Sequence, residues 1–294
     1  MPRVTIGVPV YNAESLLEQC LENLAAQTFK DLKVIVLDNA SIDGTGEIAE
    51  RFAARDPRFL YRRQPENRGA RQNFVDVLAM ADTPYFMWRA DDDRSDVNFV
   101  EKMVGLLDAN AMASLAVGLS VLDKRGRRRR KRFPPQMLFE PKFSYRARLM
   151  FAGRAAWMFG LFRTERLKSV LARVVSNYPH VYGFDYLVLL PYLVTMQVVG
   201  SNETRFVTGF VERPTSGHKR SLIDPAQMAA LRHDFLKCAR SELDLALAGS
   251  WEAPALRTLL PIYAERTYRW AKIQRARLRV ATGEKPFGAT TKYD

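Results

Sequence analysis

Apolar residues along this chain fall into two alternating rhythms. Val4 to Val10 is a short β-branched run ended by Tyr11 and Asn12, and it predicts a strand. From Ala13 to Thr28, Leu17, Leu21 and Leu24 recur at helical spacing, with Asn12 as the expected N-cap. Lys33 to Leu37 reads as a second strand, nearly continuous in apolar residues, as strands covered on both faces are. Ile48 and Phe52 mark a helix after the turn-rich segment from Asp38 to Gly44. Arg58 to Arg62 predicts a third strand, Ala70 to Ala81 a helix, Tyr85 to Trp88 a fourth strand, and Asp96 to Ala109 another helix. Strand and helix alternating at this interval predict an α/β fold, a mainly parallel sheet flanked by helices. In such sheets ligands bind outside the carboxyl ends of the strands. Those ends carry Pro9 to Asn12, Asp38 and Asn39, Glu66 to Gly69, and Asp91 to Asp93, so the polar chemistry gathers on one edge.

After about residue 112 the alternation loosens. Met112 to Leu122 predicts one or two strands, and Pro134, Pro135 and Pro141 punctuate a loop. Ser144 to Gly153, Thr164 to Val174 and Phe184 to Thr195 have helical spacing, and from about Pro225 the chain is mainly helical, a C-terminal extension. The longest apolar run, Val181 to Gly200, contains Asp185, Pro191 and Gln197. A charge at mid-bilayer costs roughly 3 kcal/mol, so this run is read as a buried core segment and not a membrane span. The first residues lack the charged-then-apolar pattern of a secretory signal. The expected location is cytoplasmic, with peripheral attachment at the inner face of the membrane as the alternative.

The 294 residues are 47% apolar and 26% charged, enough to bury a sizeable core and unlike a disordered, collagen-like or disulfide-stapled chain. Two cysteines, Cys20 and Cys238, are too few for a disulfide framework or a zinc cluster. The formal net charge of +13 suits nucleic acid, an anionic membrane surface or a phosphorylated ligand.

Three adjacent aspartates, Asp91, Asp92 and Asp93, repel one another at a strand end. A hard divalent cation removes that repulsion, and Mg2+ or Mn2+ typically joins one or two carboxylates to substrate phosphates. The same triplet also suits a solvated turn capping the helix that begins near Asp96. Asp38, at the end of the second strand, is placed to accept hydrogen bonds from a nucleobase or ribose. No G-x-G-x-x-G follows the first strand and no G-x-x-x-x-G-K-[ST] occurs, which excludes a P-loop NTPase and disfavours a Rossmann dinucleotide enzyme. A nucleotide-like edge with acidic ligands in place of a glycine cradle points to a diphosphate held through a cation.

Four blocks together are more specific. Val8 to Ala13 (VPVYNA), Val36 to Thr45 (VLDNASIDGT), Asn67 to Asn73 (NRGARQN) and the Asp91–Asp93 cluster resemble glycosyltransferase family 2 in order and spacing, over roughly the first 110 residues. The resemblance implies a GT-A-like (nucleotide-diphospho-sugar transferase) fold, a nucleotide-sugar donor with a UDP-sugar as the default, and inversion at the anomeric carbon. It also implies a glycan or lipid-linked acceptor and a role in surface polysaccharide or glycan biosynthesis. By that resemblance Pro9, Tyr11, Asn12, Asp38, Asn67, Gly69 and Asn73 contact the donor. Asp91 and Asp93 take the D-x-D part at ribose and metal, with Asp92 a further donor-side candidate. Many members carry an acidic residue near the position of Arg89; this chain does not.

Inverting transfer requires a general base opposite the leaving diphosphate. Asp185, at the head of an otherwise apolar helical segment, is the candidate by the same resemblance; helix capping would also account for an aspartate there. Arg213 and His218, in the segment from Glu212 to Arg220, resemble a family segment that follows the last strand, Arg213 on the donor phosphate and His218 in the metal shell. Trp157 to Arg163 resembles an acceptor-side segment, and core packing accounts equally for its aromatics.

Lys124 to Arg132 holds eight basic residues in nine, most of the net surplus, and predicts an exposed loop or hairpin. No nucleic-acid-binding signature accompanies it, which leaves anionic lipid head groups or plain solvation. Arg266, Arg269, Lys272, Arg275, Arg277 and Arg279 form a second basic segment. The expected organisation is a catalytic domain over 1–222, with a donor half at 1–110 and an acceptor half at 111–222, then a helical extension over 223–294. The competing class is a non-catalytic nucleic-acid- or membrane-binding module on the same scaffold.

Overall fold

The computed structural model describes residues 1–124, 127–137, 140–209 and 225–268. In chain order these form β1 (Val4–Val10), α1 (Leu17–Ala25), β2 (Leu32–Asp38), α2 (Thr45–Arg55), β3 (Phe59–Arg63), α3 (Ala70–Ala79) and β4 (Tyr85–Trp88). Next come β5 (Arg94–Ser95), α4 (Phe99–Ala109), β6 (Leu115–Lys124), β7 (Arg127–Lys131) and α5 (Lys142–Ala152). A 3₁₀ turn at Ala155–Phe159 leads to β8 (Leu161–Arg163), α6 (Thr164–Asn177), α7 (Phe184–Val194) and β9 (Val198–Thr208). The last elements are α8 (Pro225–Ala246), α9 (Ala253–Thr258) and α10 (Leu260–Tyr268).

The chain divides into two compact units. The first comprises Met1–Pro135, Arg154–Leu171 and the stretch that starts at Met196, and holds all nine strands found among the described residues. β1 is buried along its whole length because it is paired on both sides, to β2 and to β4, and covered on both faces. On one face Val4, Ile6, Val8 and Val10 meet the apolar stripes of α1, α2 and α4. On the other, Gly7 lies against Phe86 and Val77 of α3, so closely that a Cβ there would come within 2.8 Å of the Phe86 ring. The order β3-β2-β1-β4-β8-β6-β9-β5 starts with four parallel strands, then mixes: β8 is antiparallel to β4 and β6, while β6 and β9 run parallel.

Most elements fall where apolar periodicity puts them. Asn12 is a correction: it does not cap α1, whose N-cap position is Leu16, and it adopts φ 50 while its side-chain oxygen accepts from the Ile42 N–H. The basic run is a hairpin, β6 turning into β7 with Val121 opposite Arg130. The short strands β5 and β8, and most of β9, carry no alternation that marks them in sequence, since they are set by pairing with neighbours.

The second unit comprises Gln136–Gly153, Ala172–Thr195 and, among the described residues, 225–268. The apolar run is α7, in which Leu187 to Val194 are all buried. No described helix is long and apolar enough to cross a membrane. Tyr178, Phe235, Tyr263 and Tyr268 form the aromatic centre of this unit. The expected boundary at 222 and the basic residues from Arg269 onward lie outside the described residues.

Candidate active site

Two polar clusters sit at the carboxyl ends of the parallel strands. The first is built on Asp38, the last residue of β2, fully buried. Its Oδ1 accepts from the Ser41 backbone N–H at 2.8 Å and the Ser41 hydroxyl at 2.5 Å. Its Oδ2 accepts from the Tyr61 hydroxyl at 2.9 Å and the Arg63 guanidinium at 2.8 Å. β3 pairs Arg63 with Asp38 and leaves Tyr61 two residues back on the same face, which is why both reach the carboxylate. Sequence reasoning passed over Tyr61 and Arg63; the one signal was their two-residue spacing on a strand next to Asp38.

Around Asp38 the turns lock together. Asn39 donates to Asn67 Oδ1 at 2.7 Å and accepts from the Arg68 N–H, while Asn67 also accepts from the Gly69 N–H. Gly69 takes φ 80 with open space around it, a backbone state a side chain would strain. Asn12 N–H donates to Ser41 Oγ, so the β1 turn carrying Pro9, Tyr11 and Asn12 is tied to the Asp38 loop. Asn73 is 2% exposed and donates to the carbonyls of Val10 and Leu37, bridging the ends of β1 and β2. Asn73→Ala is expected to cost about 1–3 kcal/mol, since two buried carbonyls lose their donor. Asn73→Asp should cost more by setting a charge against them. Urea denaturation of both variants measures this, and a wild-type midpoint in either would exclude the bridge.

The second cluster follows β4. Asp91 and Asp93 are buried and Asp92 half-buried, in a turn closed by the Asp93 N–H on the Ala90 carbonyl. With Cys20 and Asn23 of α1, the three aspartates line a cavity of about 340 Å³. Burial, then the charge of Asp92, pushes the Asp93 carboxyl up to about 8, against the opposing pull of Arg89 and of the Gly209 N–H, which donates to it at 3.1 Å. Arg89 is fully buried behind the turn, bonded to Ser95 Oγ and Asn23 Oδ1 and lying 4.9 Å over the Phe206 ring. Burial pushes its guanidinium down. The Cys20 thiol is pushed up to about 12 by burial, so it lines the cavity as a neutral group.

The strands bearing Asp38 and the triplet flank β1, two strand spacings or roughly 10 Å apart. They share the sheet edge, but Asp38 does not line the aspartate cavity. Among the described residues no three of His, Cys, Asp and Glu group so as to hold a metal ion by themselves. The donor set is nevertheless the one a hard cation takes, all carboxylate oxygen, and the proton held high on Asp93 marks a charge that a divalent ion would neutralise. As carboxylates the aspartates are of the donor type that Mn2+ and Mg2+ take, and they do not complete a shell by themselves.

The titration has a stability consequence. Asp93 moves from an ordinary value of 3.8 up to about 8 in the folded chain, so unfolding releases its proton between those limits. Stability without metal is therefore expected to fall as pH rises from about 4 to about 8. Because the proton competes with the cation, Mn2+ should raise the melting temperature more at pH 8 than at pH 6. Equal shifts at both would contradict cation binding at Asp93.

Asp185 lies in the second unit, in the first turn of α7. The N-cap there is Gly183, with φ 84, so capping does not explain the aspartate, whose Oδ1 accepts from the Tyr186 N–H at 3.0 Å. Tyrosine hydroxyls pack around this helix start: Tyr178 and Tyr268 both donate to the Tyr182 carbonyl, and Tyr263 to that of Tyr186. Trp157 is buried against Phe133, a core contact. Arg213 and His218 lie outside the described residues.

The family described as glycosyl transferase family 2 matches residues 5–168, more than half of the chain, and the chain belongs to it. Glycosyltransferase GlyA of Streptococcus pneumoniae is 33% identical over 116 residues, 40% of this chain and 16% of that protein. The GalNAc(5)-diNAcBac-PP-undecaprenol beta-1,3-glucosyltransferase of Campylobacter jejuni is 32% identical over 94 residues, 32% of this chain and 30% of that protein. The chain spans well under half the length of these two relatives. Among solved structures, S. aureus TarS 1-349 in complex with UDP-GlcNAc superposes with a TM-score of 0.67 at 14% identity, over 92% of this chain and 74% of the other. Mannosyltransferase PcManGT from Pyrobaculum calidifontis, in complex with GDP-Man and Mn2+, gives 0.54 at 19% identity, over 97% and 88%. At such identities the likeness is one of fold: the GT-A arrangement of a mixed sheet flanked by helices.

Proposed function

We propose that this chain is a divalent-cation-dependent, inverting glycosyltransferase of the hexosyltransferase type. It takes a nucleoside-diphosphate sugar, with a UDP-sugar the first donor to try, and a hydroxyl on a glycan or lipid-linked acceptor. The products belong to surface polysaccharide or glycan synthesis, a reading supported by the similarity to the GalNAc(5)-diNAcBac-PP-undecaprenol beta-1,3-glucosyltransferase of Campylobacter jejuni. The observation that carries this reading is the buried aspartate turn at the carboxyl end of β4, inside the family match. The basic hairpin and the segment from Arg266 onward would serve peripheral attachment to an anionic membrane surface.

The turns at Pro9–Asn12, Asp38–Ser41 and Asn67–Gly69 form one bonded rim for the nucleoside, and Asp38 sets the shape of that rim through Ser41. Asp91 and Asp93, with Asp92 and with His218 from the undescribed segment, would hold Mn2+ or Mg2+. Bound there, the cation supplies charge stabilisation to the leaving diphosphate, worth several kcal/mol. Arg213 would add a guanidinium to that phosphate. Asp185 accepts the proton of the acceptor hydroxyl as its oxygen bonds to the anomeric carbon. The bond from that carbon to the diphosphate oxygen breaks on the opposite face, and the configuration inverts.

A panel of nucleotide sugars, incubated with Mn2+ or with EDTA, tests the reading. Release of nucleoside diphosphate from at least one donor, only with the cation, is the expected result. If no donor is bound or turned over under either condition, the chain is a binding module on this scaffold.

A further inference from the structure

The half of the sheet farthest from β1 carries a second cavity of about 520 Å³, within the first unit. Strand register explains its lining. Arg94 on β5 pairs with Val207 on β9, Val207 with Val121 on β6, and Val121 with Arg130 on β7. Paired positions share a face, so one row across four strands places an arginine at each end of two valines. Two residues along, Arg205 on β9 and Arg128 on β7 join the same face. The floor is the pair Val121 and Val207, which pack with the buried Leu119 behind them. The rim is four guanidinium groups.

Counter-charge is partial. Arg128 is bonded to Asp123 at 2.8 Å, and Arg205 holds both oxygens of Asp96. Of the lining residues only Asp96 and Glu203 are acidic, against the four arginines. Arg130 is exposed and has no acidic partner among the described residues. The alternation of β7 matters here: Arg128 and Arg130 face the cavity, while Arg129 and Lys131 project from the opposite side of the strand. A basic run that only kept the surface soluble would not need a walled cavity on one of its faces.

We propose that this cavity binds a phosphate-type anion, a phosphate mono- or diester or a diphosphate group, through the guanidinium rim formed by Arg94, Arg128, Arg130 and Arg205. Guanidinium groups grip phosphate oxygens in pairs, and the valine floor accepts the apolar part of an ester next to the phosphate. This chemistry is opposite to that of the aspartate turn, which needs a cation between protein and phosphate. The site therefore stands whether or not the transfer reaction does. The phosphate can come from a free phosphorylated molecule or from a lipid head group.

Calorimetry of the full chain with inorganic pyrophosphate, in EDTA so that the aspartates take no part, forms one arm. Flotation with phosphatidylcholine vesicles, with and without phosphatidylglycerol, forms the other. Arg130→Glu and Arg129→Glu make the same charge change on opposite faces of one strand. Binding is expected in at least one arm, weakened about tenfold or more by Arg130→Glu and less than about threefold by Arg129→Glu. Arg130→Ser, which orphans no partner, should fall between them. Pyrophosphate binding assigns a free phosphorylated ligand, and binding confined to phosphatidylglycerol vesicles assigns a head group. Equal weakening by the two glutamates, or no binding in either arm, overturns the site.

Discussion

Asp93→Ala is expected to lower cation-dependent turnover of the nucleotide sugar by about 10²-fold or more. The carboxyl is 5% exposed, crowded by Asp92 and Asp91, and held by the Gly209 N–H from the end of β9. Alanine deletes a carboxyl whose burial raises its proton affinity, and with it the incentive for a divalent ion to settle there. Held at about 8, the carboxyl is mostly protonated at neutral pH, so alanine removes little charge from beside Arg89 and the fold should survive. Taking away one member of a charged buried pair destabilises by leaving the other uncompensated, a cost that grows as pH rises and the carboxyl ionises. That partner, Arg89, retains Ser95, Asn23 and the Phe206 ring. The expected signature is a melting temperature at or near wild type, with turnover lost and the response to Mn2+ flattened. Normal turnover at saturating Mn2+ would remove Asp93 from the cation site.

Asp185→Asn is the second large effect, a fall of about 10² to 10⁴ in transfer with nucleotide binding left nearly intact. Asparagine keeps the size of the side chain and an oxygen for the Tyr186 N–H, so the first turn of α7 need not change. What it loses is the capacity to take a proton. Because Gly183 occupies the N-cap, an effect confined to helix stability would be about 0.3–1 kcal/mol, what an acidic side chain contributes near a helix start. Transfer and thermal stability therefore separate the two roles. Unchanged transfer would leave Asp185 a helix residue only. The proton acceptor would then be sought elsewhere in the second half of the chain.

The first four strands and their helices were readable because each is a local pattern. A β-branched run needs burial on both faces, and a leucine stripe needs a sheet to lie on. Asp38 and the aspartate triplet were readable for the same reason, as polar residues abruptly ending apolar strands. Pairing across the chain was not readable. Tyr61 and Arg63 reach Asp38 only through the β2–β3 register, and Gly209 reaches Asp93 from more than a hundred residues away. Asn12 and Asn73 illustrate a second limit. Their types suit ligand contact or capping, yet Asn73 is spent on two backbone carbonyls and Asn12 on the Ile42 N–H. Arg89 was visible only as a departure from an acidic position; its place as a buried cation behind the triplet depends on Asn23 of α1 and Ser95 of β5.

The central claim is that a cation held by the aspartate turn carries the donor's diphosphate. Calorimetric titration of nucleoside diphosphates, UDP first and GDP next, into the full chain tests it most directly. Binding in the presence of Mn2+, its absence in EDTA, and its loss in Asp93→Ala even with Mn2+ are the predicted results. Equal affinity with and without the cation would contradict the claim.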